Sequence, residues 1–164
     1  MKNAPIALLE AQFNRAHISE KDFKEAEEYL KALTRTRRLT VQRALLLAAI
    51  IAYCRPFTQN EKRPESKATS QVPINPQKVL DPQEYDLHLR LLDLRNQALA
   101  HSEFSRKPTG RVMATSSGFL TSSKPFDVLS ERIDRTMLKR MSKKLALHCS
   151  AKMFELNSKM GPLA

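Results

Sequence analysis

The chain has 164 residues, long enough for one domain with a true core and too short to expect two. Only three glycines, no tryptophan and 6% aromatic content argue against a sheet protein and for a helical one. With 28 Lys and Arg against 17 Asp and Glu, the formal net charge is +11. Such an excess favours a polyanionic partner, nucleic acid before an anionic membrane, beside the plain reading of a basic but ordinary soluble protein.

The N-terminal Met1-Lys2-Asn3-Ala4-Pro5 leads into Glu10, Asn14 and Arg15 and shows no signal-peptide core. Residues 5–16 read as a short amphipathic helix, with Asn3 as cap and Pro5 in its first turn. Ser19 offers a second cap, followed by Glu20 and Asp22 where the helix dipole favours acids. Phe23, Ala26, Leu30 and Leu33 then fall at helical spacing, with Glu25, Glu27 and Glu28 on the outer face. Arg35, Arg37, Arg38 and Arg43 follow, with no acid between Thr34 and Ile51. That cluster reads either as a solvated turn or as a phosphate-facing edge.

Thr40 is placed to cap a helix from Val41 to about Cys54, apolar nearly all round and therefore expected as the central buried helix. Arg55-Pro56 ends it, because proline disfavours helical geometry in the residue before it. Residues 58–77 are polar, with Pro64, Pro73 and Pro76, and predict a long exposed loop reaching to residue 80. Asp81-Pro82-Gln83-Glu84 restarts helix, with Asp as cap, Pro at the first position and Glu in capping-box register. Tyr85, Leu89, Leu92 and Leu99 supply a core-facing stripe, and His88 reads as a surface residue.

After Phe104 the segment 105–126 is an insertion in which Val112-Met113-Ala114 and Gly118-Phe119-Leu120-Thr121 are spaced for a small hairpin. Asp127 or Ser130 begins the last helix, carrying Ile133, Met137, Met141, Leu145, Cys149 and Met153. Its polar face holds Arg132, Arg135, Lys139, Arg140, Lys143 and Lys144, and His148 reads as a packed helix histidine. These elements predict an all-α fold, an up-and-down bundle of four to five helices in a single domain over 1–164.

The apolar run from Ala44 to Cys54 is too short to span a bilayer, so no membrane association is expected. Cys54 and Cys149 sit in apolar helical runs with no partnering pattern, as buried free thiols in a reducing cytoplasm would. Nothing resembles a glycine-rich phosphate loop or a metal-ligand cluster, so neither cofactor nor metal is expected.

The chemistry-bearing stretch is Leu91-Leu92-Asp93-Leu94-Arg95-Asn96-Gln97-Ala98-Leu99-Ala100-His101-Ser102, at the end of the third long helix. Arg95 is a cation that cannot deprotonate, Asn96 a neutral hydrogen-bonder, and His101 titrates near neutrality. On an ideal helix Arg95 and His101 lie about 9 Å apart along the axis and roughly 120° around it, too far for a tight pair. A two-fold homodimer brings a second Arg/His set opposite the first in one cleft. Such a cleft suits RNA cleavage by the ribose's own 2′-hydroxyl. His101 serves as general base or acid, Arg95 holds the phosphate and stabilises charge on five-coordinate phosphorus, and Asn96 orients either. The plain reading is an arginine and a histidine that share a helix by chance, the histidine capping carbonyls.

Arg95-Asn96-x-x-x-x-His101 on a small all-α chain resembles the signature of the HEPN superfamily, an arginine, usually followed by Asn, Asp or His, and then a histidine four to six intervening residues after the arginine. Leu94 to Ser102 is similar to the form in many bacterial members linked to abortive infection and toxin systems, and Tyr53-Cys54-Arg55-Pro56-Phe57 is similar to a feature of some uncharacterised members. The resemblance covers roughly residues 20–157 in helix order, with about nine residues carrying it specifically. It implies a dimerising helical bundle with Arg95 and His101 of both chains lining one cleft. It also implies a metal-independent ribonuclease used as a toxin or in phage defence, with RNA as substrate and a possible neutralising or regulatory protein partner. Other members are inactive or bind only nucleotides or proteins. Three readings stand: a dimeric HEPN-like ribonuclease with RNA guided by Arg35, Arg37, Arg38 and the basic last helix; a non-catalytic helical adaptor; and a nucleic-acid binder acting by charge alone.

Overall fold

The computed structural model describes residues 6–58, 69, 71–96, 113–115, 118–120 and 126–161. The fold is all-α: α1 (Ile6–Thr34), α2 (Leu39–Cys54), a one-turn α3 (Pro76–Val79), α4 (Pro82–Leu94) and α5 (Arg135–Met160). Two 3-10 turns, Arg55–Phe57 and Val128–Glu131, follow α2 and lead towards α5. β1 (Met113–Thr115) and β2 (Gly118–Leu120) pair antiparallel, with Met113 opposite Leu120, as the small hairpin the sequence predicts.

The N-terminal half differs from its expectation. Instead of two helices broken before Ser19, α1 runs unbroken for 29 residues, about 44 Å at 1.5 Å per residue. Between Arg15 and Ser19 lie only Ala16, His17 and Ile18, none of which stops a helix, so Ser19 is a buried mid-helix residue and no cap. Asn3 and Pro5 lie outside the described residues. The length of α1 lets it pair with α2 and, over its greater part, with α5. α1 and α5 run antiparallel, for Ser150 Oγ donates to Glu20 and Lys139 acts electrostatically on Glu28.

The central element is therefore the α1/α5 pair and not α2. α2 buries Leu46, Ala49, Ile50, Ala52, Tyr53 and Cys54, yet leaves Leu39, Val41 and Ile51 exposed. It begins at Leu39 with Arg38 as N-cap and no side-chain cap bond, so Thr40 falls inside its first turn. With its 3-10 extension the helix reaches Leu39–Phe57, 19 residues, long and apolar enough by length and composition to cross a membrane. Part of its surface nonetheless serves this core, where Leu46 and Ile50 belong to one buried cluster with Phe23, Leu30, Leu33, Leu91, Leu138 and Leu145. A buried leucine of this kind contributes about 1.5–3 kcal/mol relative to its exposed state.

The described part of the 58–80 segment is not wholly exposed. Val72 and Leu80 are buried, and Asn75 caps α3 by accepting from the Gln77 N–H. At α4 the predicted start is found intact: Asp81 accepts from the Glu84 N–H, and the Glu84 carboxylate accepts from the Asp81 N–H. The stripe of α4 is rotated from the expected one. Its buried residues are Glu84, Leu87, His88, Leu91 and Leu94, while Leu89 is 48% exposed, Tyr85 and Leu92 are half-buried and Leu99 lies outside the described residues. The last helix also starts later than expected. Asp127 caps only the 3-10 turn through the Leu129 N–H, and Asp134 caps α5 through the Met137 N–H.

Candidate functional site

α4 ends on the predicted motif. Leu91 and Leu94 are buried and anchor the last turn, after which the backbone widens into a π-type turn at Arg95 and Asn96. The Arg95 N–H points back to the carbonyls of Leu91 and Leu92. Arg95 as a residue is half-buried, but its Nη1 donates to Asn96 Oδ1 at 3.0 Å in an exposed bond that joins the two side chains into one polar unit. That bond occupies one of the five donor hydrogens of the guanidinium and leaves a bidentate edge for an anion. His101 and the rest of the 97–112 stretch lie outside the described residues.

Beneath Arg95 lies Cys54, whose thiol donates to the Leu91 carbonyl at 3.5 Å. Burial pushes the Cys54 thiol up to about 12, against the opposing charge of Arg95. Cys149 is pushed up to about 12 as well, by burial and by Glu20, with Arg15 opposing. Both are buried free thiols, as expected.

His88 is a correction to the expected surface residue: it is 3% exposed and hydrogen-bonded through Nδ1 to the Tyr53 hydroxyl at 3.0 Å. Tyr85 stacks on it and Phe57 meets it edge-on with centroids 4.6 Å apart. Burial pushes its pKa down to about 4, so it is a neutral core group. His148 reverses the other way, being exposed instead of packed.

The nine predicted phosphate-binding cations divide into groups. Arg140 and Lys144 are structural partners of Glu84, a fully buried carboxylate that accepts from Arg140 Nε at 2.6 Å and from Lys144 Nζ at 2.7 Å. Desolvation alone would raise the Glu84 carboxyl, yet the bonds from Lys144, the Asp81 backbone and Arg140 bring it down to about 2. Lys143 borders a surface groove of about 330 Å³ together with Lys24, Glu27 and Glu28. Arg35, Arg37 and Arg38 are exposed on the α1–α2 turn, Arg132 is exposed just after the Val128–Glu131 turn, and Arg135 and Lys139 are exposed at the start of α5.

Further along α1 and α5, Phe13, His17, Met153 and Phe154 line a second groove of about 520 Å³. Phe154 is 79% exposed there, a feature that spacing alone did not single out. Among the described residues no group of three or more His, Cys, Asp and Glu is placed to hold a metal ion. No protein-family model, curated protein or solved structure matches the chain.

Proposed function

We propose that the chain is a metal-independent endoribonuclease of HEPN type, cytoplasmic and acting as a homodimer in toxin or phage-defence chemistry. The observation that supports it best is the Arg95–Asn96 unit at the end of α4, a guanidinium steadied by an amide and presented at the surface by a buried Leu91/Leu94 anchor. In this reading His101 takes the proton from a ribose 2′-hydroxyl, whose oxygen attacks the adjacent phosphorus. The bond to the 5′-oxygen breaks, that oxygen leaves with a proton returned by a histidine of the composite cleft, and a 2′,3′-cyclic phosphate remains. Arg95 binds the phosphoryl oxygens through paired N–H groups as their charge grows, and Asn96 fixes the plane of the guanidinium.

The test is cleavage of a mixed RNA pool in EDTA by the wild type and by His101→Ala. Cleavage by the wild type only, with cyclic phosphate ends, is the expected result; equal cleavage by both proteins sinks the mechanism.

The second reading, a non-catalytic helical adaptor, draws on a different observation. The groove at Phe13, Met153 and Phe154 presents apolar surface, with Phe154 79% exposed, of the kind that an amphipathic partner helix covers. Under it, His101→Ala leaves every RNA measurement unchanged, while Phe154→Glu abolishes capture of the partner.

A further inference from the structure

Among the described residues, parts distant in sequence meet at a strongly basic end of the bundle. Arg43 of α2 forms a two-pronged bond to Asp127, through Nε at 3.0 Å and Nη2 at 3.2 Å, tying the start of α2 to the segment that leads into α5. Glu27, Glu28 and Lys31 of α1 line one groove with Lys143 of α5, which places the end of α1 beside the early turns of α5. The α1–α2 turn with Arg35, Arg37 and Arg38 thus shares an end with Arg132, Arg135 and Lys139.

Four carboxylates near this end bond to groups other than Arg35, Arg37, Arg38, Arg132 and Arg135. Asp127 is held by Arg43, Asp134 caps the Met137 N–H, Glu28 pairs with Lys31, and Arg90 donates to Glu131. Among the described residues no carboxylate bonds to the side chains of Arg35, Arg37, Arg38, Arg132 or Arg135, and all five are exposed.

Several of these positions are also poor choices for the fold. Arg132 has φ 50° and ψ 46°, the left-handed region where a side chain other than Gly or Asn is disfavoured. Arg135 stands in the first turn of α5 and Arg38 at the N-cap of α2, where the helix dipole disfavours cations and neither first turn holds an acid. A sequence selected for stability alone would place Gly, Asp or Ser at such positions.

From this convergence we infer that the end formed by Arg35, Arg37, Arg38, Arg132 and Arg135 binds the phosphate backbone of RNA, and that Arg140 and Lys144 take no part in it. The choice of RNA rests on the ribonuclease reading. The surface recognises charge and backbone, so it positions a substrate without reading its sequence.

The experiment measures binding of a fluorescent 2′-O-methyl RNA of mixed sequence, which cannot be cleaved, across a salt series. It is thereby independent of whether Arg95 and His101 catalyse anything. The variants are Arg37→Glu/Arg38→Glu, Arg132→Gly, and Lys21→Glu/Lys159→Glu, the last making the same charge change away from this end. The expected result is a loss of more than about tenfold for the arginine pair, with a log–log salt slope shallower by about 1.4 for two lost phosphate contacts. Arg132→Gly weakens binding while melting at or above the wild-type temperature, so its loss is not one of folding. Equal losses in the two charge-matched doubles reduce the effect to net charge and overturn the proposal. Undiminished binding by Arg37→Glu/Arg38→Glu overturns it too, as does tighter binding to vesicles of phosphatidylcholine and phosphatidylserine than to RNA.

Discussion

The Tyr53 hydroxyl and His88 Nδ1 lie 3.0 Å apart inside the aromatic heart of the bundle, joining α2 to α4. Phe23 and Phe57 close around Tyr53 with centroids 5.9 Å away in each case. Because the imidazole is held neutral there, its proton affinity differs between folded and unfolded chains. An unfolded histidine titrates near 6.5, whereas burial lowers His88 to about 4. Below pH 6.5 the unfolded chain takes up a proton that the folded chain refuses until about pH 4. Unfolding free energy should therefore fall as pH drops through that window, by up to about 3 kcal/mol from this group. Urea melts of the wild type and His88→Leu at pH 8 and pH 5 measure it. The variant should lose about 1–3 kcal/mol at pH 8, from the stranded Tyr53 hydroxyl, and show a flatter pH dependence. An unchanged slope would remove His88 as its source.

Glu84 behaves in the opposite sense. Its carboxyl is held at about 2 against an unfolded value near 4.3, so its stabilisation is present above pH 4.3 and is lost as pH falls towards 2. Removing both Arg140 and Lys144 leaves a buried carboxylate without cations and should cost about 3 kcal/mol, with Arg140→Ala alone nearer 1–2 because Lys144 remains. Glu84→Leu in the double variant should recover most of that loss, as seen by thermal melting. Consequently, changing Lys139, Arg140, Lys143 and Lys144 together would report on folding before it reported on RNA.

For the motif itself, Arg95→Lys should abolish cleavage nearly as fully as Arg95→Ala. A lysine supplies a point charge without the planar fork, and it cannot reproduce both the bond to Asn96 and a bidentate phosphate contact. Asn96→Ala should retain partial activity, lower by about tenfold, since it frees the guanidinium without removing it (about 1.4 kcal/mol). Full activity in Arg95→Lys would show that the fork is not used.

Cys54 and Cys149 are both fully buried, with thiols pushed up to about 12. Neither should react with a disulfide reagent at pH 8 in the native protein, because the thiolate is the nucleophile and both lack access. Labelling should follow opening of the bundle and accelerate with urea in parallel with unfolding. Rapid labelling of one thiol in the absence of urea would contradict the packing at that site.

The parts legible in the sequence are those whose signals are complete within a turn or two. Asp81-Pro82-Gln83-Glu84 carries cap, helix start and return bond in four consecutive residues, and α4 begins there. The bond between Arg95 and Asn96 is just as local, yet the sequence suggests Asn96 as a partner of the phosphate or the histidine and not of its neighbour. What was not legible depends on remote partners. Glu84 is buried because Arg140 and Lys144, 56 and 60 residues away, come to it. His88 is buried because Tyr53, 35 residues away, meets its ring. With both polar groups satisfied, α4 turns a different face inward from the one its leucines suggest. Ser19 failed in a similar way, since a cap preference is local whereas the continuity of α1 comes from its long pairing with α5.

Two arginines hold α1 to the end of α2 from opposite directions. Arg15 Nη2 donates to the main-chain carbonyls of Arg55 and Pro56 at 3.0 and 3.2 Å, while Arg55 Nη1 donates to Asp22 at 3.2 Å and Glu25 at 2.6 Å. The acceptors differ in kind. Carbonyls accept with the same strength at any acidity, but Asp22 and Glu25 lose their negative charge on protonation, and with it the ion-pair part of their bonds to Arg55. The junction is thus a double latch with one half sensitive to acid: loss of carboxylate charge weakens the outer catch on α1, while the inner catch, made to main-chain carbonyls, keeps its strength.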